Sequence, residues 1–62
     1  MEQKRWYSVQ EAAAYLAVRP YTVRDAIWSG QLPYARLGKR FVLDVRDLDR
    51  LVESRKQREA VN

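Results

Sequence analysis

Between positions 19 and 40 five basic residues, Arg19, Arg24, Arg36, Lys39 and Arg40, stand against a single acid, Asp25. Guanidinium groups present forked N–H donors that match paired oxygens or the O6/N7 edge of guanine, and an ammonium meets phosphate as a point charge. Outside this stretch the charges cancel. Lys4 and Arg5 offset Glu2 and Glu11, and five bases from Arg46 to Arg58 offset five acids from Asp44 to Glu59, so the net +4 resides between 19 and 40. A positive field focused on one part of a small domain points first to nucleic acid. An acidic protein partner, or a basic surface that is merely solvated, remains compatible with charge alone.

Other chemistries find no footing. The chain has no histidine and no cysteine, which removes Ser/Cys–His nucleophiles, Cys/His metal sites and disulfides. Ser8, Ser29 and Ser54 have no base to activate them, and there is no glycine-rich phosphate loop. No enzymatic activity, metal or cofactor is expected. No run approaches the roughly 20 apolar residues of a membrane span, and no apolar stretch follows the polar start Met1–Arg5, so neither a leader nor a membrane partner is expected. Cysteine-free composition suits a reducing, cytoplasmic setting. At 62 residues with 47% hydrophobic content the chain is expected to form one domain, burying only about 60% of its unfolded surface.

The elements that must position these cations follow from periodicity. Ser8 and Glu11 make a capping box at the start of a first helix, whose inward face is Val9, Ala12, Ala13 and Leu16. Three consecutive alanines favour helix and allow a second helix close approach. Pro20 suits the first position of that second helix, and Arg19 before it is held extended. Ala17, Val18 and Arg19 form the connection, and Gly30 ends the helix in a left-handed conformation. Val23, Ala26 and Ile27 face inward, leaving Tyr21, Arg24, Asp25 and Trp28 outward. Two short helices across so tight a joint make a helix-turn-helix.

After Pro33 the period changes to two. Gly38-Lys39 predicts a type II′ hairpin, with Ala35, Leu37, Phe41 and Leu43 on an inward face, Arg36 and Arg40 on the outer face, and Lys39 at the tip. That is a wing. Asp44 then caps a third helix, with Asp47 at the capping-box position and Leu48, Leu51 and Val52 as its apolar stripe. The expected fold is mainly α with a small β-hairpin, a winged helix-turn-helix in the order helix-helix-hairpin-helix. The domain spans 1–54, with a short N-terminal arm, and 55–62 form a polar tail.

Taken in order, Tyr7-Ser8-Val9-Gln10-Glu11-Ala12-Ala13-Ala14-Tyr15-Leu16, Thr22-Val23, Gly30-Gln31-Leu32-Pro33, Arg36-Leu37-Gly38-Lys39-Arg40 and Asp47-Leu48 resemble the excisionase branch of the MerR-like winged helix-turn-helix proteins. The likeness covers roughly residues 7 to 53. It departs at Arg19-Pro20, where the family often has a Ser or Thr cap, and at Trp28, a position more often polar. The resemblance implies a second helix in the major groove and a wing on the adjacent backbone or minor groove. It also implies tandem sites in a phage or mobile-element attachment region, DNA bending, and help to a tyrosine integrase in excision. Small transcriptional regulators share the architecture.

Within that frame Arg24 is the first choice for guanine contact, with phosphate as its alternative. Arg19 at the helix start is assigned to phosphate. Tyr21 and Thr22 either donate to phosphate or touch a thymine methyl, and Thr22 equally suits local capping. Asp25 orients a neighbouring arginine or accepts from cytosine N4. Arg36, Lys39 and Arg40 serve the minor groove beside the wing, and also discourage strand pairing at the hairpin edge. Trp28 is expected to pack over the junction of helix and wing, with stacking toward sugar and backbone as its alternative, and Trp6, Tyr7, Tyr15 and Tyr34 at the core margins. Binding by so small a domain is expected to be cooperative, through self-association on DNA or contact with an integrase.

Overall fold

The computed structural model describes residues 4–57. Strand β1 (Trp6–Tyr7) leads into α1 (Val9–Leu16), then come α2 (Pro20–Trp28), β2 (Ala35–Leu37), β3 (Arg40–Asp44) and α3 (Val45–Arg55). The result is a winged helix-turn-helix of three helices and a three-stranded antiparallel sheet, ordered β1-β3-β2. The tail from 58 onward lies outside the described residues.

Local chemistry sets each boundary. The Glu11 amide donates to Ser8 Oγ at 3.1 Å, and the Glu11 carboxylate accepts from the Ser8 amide at 2.9 Å, completing the capping box. The α1–α2 joint is the expected three residues, and it turns on Ala17 at φ +59. There the Val18 amide reaches the Ala13 carbonyl at 2.9 Å. At the far end of α2, Gly30 at φ +82 lets its own amide bond Ile27 and the Gln31 amide bond Ala26, the paired closure of a Schellman motif. The Asp44 carboxylate accepts from the Arg46 amide at 2.9 Å to cap α3. Asp47 pairs with Arg50, one turn further along the same helix.

The core is wholly apolar among the described residues: Val9, Ala12 and Ala13 of α1, Val23, Ala26 and Ile27 of α2, then Leu32, Leu43 and Leu48. Tyr7, Leu16, Phe41 and Leu51 pack against it half-buried, while Val52 stands more exposed than the stripe predicts. No polar or charged side chain is buried among the described residues, so their charged groups all lie at the surface.

Two expectations about the sheet are corrected. The hairpin gains a third strand, because Trp6 and Tyr7 pair with Asp44 and Leu43, and the Val45 amide donates to the Arg5 carbonyl at 2.8 Å. Two residues are too few to show a period. The assignment of faces also changes. A two-residue loop pairs Leu37 with Arg40, Arg36 with Phe41 and Ala35 with Val42, so odd positions of one strand oppose even positions of the other. Opposed residues share a face. Phe41 and Leu43 point to the core as expected, but Arg36 shares their side, whereas Ala35 and Leu37 are exposed with Arg40. Gly38 at φ +63, with Lys39 outside the positive-φ region, supplies the predicted turn.

Candidate nucleic-acid interface

The first turn of α1, the wing-facing flank of α2 and the hairpin tip enclose one open cleft, lined by Ser8, Val9, Gln10, Arg24, Lys39, Arg40 and Phe41. Arg24 thus meets Lys39 and Arg40 across a gap that sequence spacing alone does not close. The α1 side of the cleft is absent from the sequence reading. Its capping box satisfies the amides of Ser8 and Glu11. The amides of Val9 and Gln10 have no intrahelical acceptor, and they carry the positive end of the helix dipole. The signal was present in Ser8-x-x-Glu11, which marks a helix start, but not in which direction that start points.

Charge pairing separates the cations into two groups. Lys4 bridges Glu11, Arg5 and Arg46 share Asp44, Arg50 pairs with Asp47, and Lys56 with Glu53. Arg55 donates to Gln31. Among the described residues Arg19, Arg24, Arg36, Lys39 and Arg40 make no ion pair and no side-chain hydrogen bond. The unpaired cations are therefore the five of the basic stretch.

Among the described residues every acid except Asp25 has a side-chain partner. Hydrogen bonding from Lys4, then from the Ser8 amide, pulls the Glu11 carboxyl down to about 2. The Arg46 side chain and amide, then Arg5, hold Asp44 well below the usual carboxylate range. The Tyr15 hydroxyl donates to Asp49 at 2.6 Å, and that hydrogen bond pushes its pKa above the usual tyrosine value.

The structure divides the predicted recognition set. Arg24 leans toward the wing, while Thr22 and Asp25 line a different, more apolar groove with Leu16, Val18, Leu51 and Val52. Arg19 holds the N-cap position of α2 in an extended conformation and makes no side-chain cap bond, so a cation stands where an acceptor is usual. Lys39 and Arg40 border the cleft; Arg36 does not, and lies over the Phe41 ring instead, 6.0 Å from its centroid.

The aromatics depart from expectation. Trp28 is 71% exposed and does not cover the helix–wing junction. Tyr21 is 67% exposed. Tyr34 packs edge-on against Phe41, and Tyr7 against Tyr15, with centroids 5.0 and 5.3 Å apart. Tyr7 sits at the core margin as expected, Tyr15 and Tyr34 reach it through Tyr7 and Phe41, and Trp6 stands half exposed with Arg5 on its face.

Residues 6–56 match the helix-turn-helix domain family. The chain belongs to that family. This supports double-stranded DNA as its ligand, and the cleft and the exposed face of α2 are where such a domain has charge and shape to offer. No curated protein and no solved structure matches the chain. No helix among the described residues is long and apolar enough to cross a membrane.

Proposed function

We propose that this chain is an excisionase-like protein that binds duplex DNA sequence-specifically at tandem sites, bends it, and directs a tyrosine integrase toward excision. The observation that carries the DNA-binding part is the cleft: unpaired Arg24, Lys39 and Arg40 converge on the amide end of α1. A phosphate entering there meets Lys39, Arg40 and two unpartnered N–H groups, with Arg24 beside it directed at the neighbouring base. The excision role is supported by the ordered resemblance and by a family that includes excisionase-like proteins.

In this reading α2 enters the major groove. Arg24 takes guanine O6/N7, while Arg19 and the Tyr21 amide in the first turn of α2 take the flanking phosphate. Tyr21 and Thr22 donate to phosphate or touch a thymine methyl, Asp25 orients a neighbour or accepts from cytosine N4, and Arg40 with Lys39 follows the backbone into the next minor groove. Arg36 braces the wing through Phe41. A narrowed minor groove favours inserted cations, which is the physical link between wing binding and bending. The tail at 55–62 is assigned to contact with an adjacent copy or an integrase.

Titration with duplex DNA at several salt concentrations tests binding. About four or five phosphate contacts give a log–log slope near −4, at roughly −0.9 each, and a slope near zero sinks the reading. Footprinting across an attachment region, a bending assay and integrase-dependent excision test the rest. Binding and repression at a promoter, with no stimulation of excision, would make the chain a small transcriptional regulator. Tight binding to an acidic protein without affinity for DNA would make it an interaction module.

A further inference from the structure

The outermost line of α2 is aromatic. Val23, Ala26 and Ile27 define its buried face. At about 100° per residue, Tyr21, Asp25 and Trp28 fall within about 35° of the opposite meridian, while Arg24 and Thr22 sit about 80° to either side. Tyr21 and Trp28 are among the most exposed large hydrophobic residues among those described. Neither ring stacks on another ring or under a cation there. Nothing in the fold uses them, so their water-exposed area is uncompensated unless a ligand covers it.

Charge indicates which ligand. The wing flank of this ridge carries Arg24 and faces Lys39 and Arg40, which suits DNA backbone. Asp25 lies on the ridge itself and repels phosphate, so the ridge meets base edges. A helix fits the major groove, about 12 Å wide, and not the minor groove of about 6 Å. The apolar feature on the major-groove floor is the C5-methyl of thymine. Tyr21 and Trp28 are seven residues apart, about 10 Å along the axis and close to three base steps of about 3.4 Å.

We propose that Tyr21 and Trp28 form a two-point reader of thymine methyl groups, placed about three base pairs apart on either side of the pair met by Arg24. This rests on the DNA-binding reading above. It adds a role for Trp28 and a spacing rule for the target.

The test uses the full 62-residue chain. A preferred duplex is selected from a random pool, and each thymine is then replaced singly by deoxyuridine, which removes only the methyl. Two thymines near the expected spacing should each weaken binding about fourfold on replacement, the weight of one buried carbon. Trp28→Ala should erase the thymine–uracil difference at one position and Tyr21→Ala at the other. Tyr21→Phe should retain it, which separates ring contact from a hydroxyl bond to phosphate. Both rings are exposed, so folding should survive, and circular dichroism checks this. In a Trp6→Phe background, the emission of Trp28 should shift on the selected duplex. A selected site without such thymines, or a methyl effect that survives both alanine variants, overturns the inference while leaving salt-dependent DNA binding intact. Absence of any salt-dependent duplex binding removes the parent reading and this one together.

Discussion

The Arg36 guanidinium lies over the Phe41 ring, 6.0 Å from its centroid, whereas Arg40 pairs with Leu37 across the hairpin and borders the cleft. Two wing arginines that look equivalent in sequence thus have different surroundings. Arg40→Ala and Lys39→Ala should each flatten the salt slope of DNA binding by about 0.9. Arg36→Ala should leave the slope unchanged and cost about 0.5 kcal/mol of stability, the scale of an exposed cation–π contact. Titrations of the three variants at matched salt concentrations, with thermal melts, check this. A flattened slope for Arg36→Ala would place it on phosphate after all.

Arg24 stands between α2 and the wing tip, with no carboxylate paired to it among the described residues. If it engages guanine, its removal changes preference more than general affinity. Arg24→Ala should lower discrimination at one G·C pair by about 1–3 kcal/mol while non-specific affinity falls only modestly. Competition between the selected duplex and a single-pair variant measures the first quantity, and binding to an unrelated duplex the second. Equal losses on both would reassign Arg24 to phosphate.

Ala17 occupies the left-handed region at φ +59, where a Cβ costs about 1–2 kcal/mol. Glycine removes that strain but adds unfolded-state freedom. Ala17→Gly should therefore stabilise the domain by about 0.5–1 kcal/mol, raising Tm by about 4 °C. Gly30→Ala should act in the opposite direction by about 1 kcal/mol, and through conformation alone, since no atom lies within 4 Å of an added Cβ. Denaturant midpoints of the two variants should move apart around the parent.

How much of this was legible in the sequence depended on the range of the interaction. Capping at Ser8 and Asp44, the Ala17–Arg19 joint, the Gly30 stop and the inward faces of α1 and α2 are local, and each was readable. The faces of the hairpin follow from a parity that the two-residue Gly38-Lys39 loop imposes by pairing Leu37 with Arg40, which alternation along each strand taken alone does not show. Leu32 is nearly fully buried, yet it sits in an aperiodic segment, tucked in by its amide bond to Ala26. β1 and the α1 wall of the cleft are long-range pairings that no window of sequence displays. The basic stretch was legible as charge, and its convergence with Val9 and Gln10 was not.

Asp44 and Glu11 tie the N-terminal arm to the helices, and both are held ionised by their partners. Arg46 and Arg5 depress Asp44, while Lys4 and the Ser8 amide bring Glu11 to about 2. A carboxyl whose folded value lies below its unfolded one favours the folded state above the unfolded value, and that contribution disappears as pH falls through the folded value. Stability should therefore be flat near neutrality and decline from about 4.5 for Glu11 and 3.8 for Asp44 downward, where these groups ordinarily titrate. The Glu11 side chain is about half exposed and that of Asp44 is largely covered, so the effect should shrink in high salt chiefly for Glu11. Glu11→Gln should lower the urea midpoint at pH 7 and reduce its fall between pH 5 and 2.5. Asp44→Asn should do the same and, by loosening the Arg5 contact, increase amide exchange at Val45. An unchanged acid limb in both variants would mean that other carboxylates govern acid unfolding.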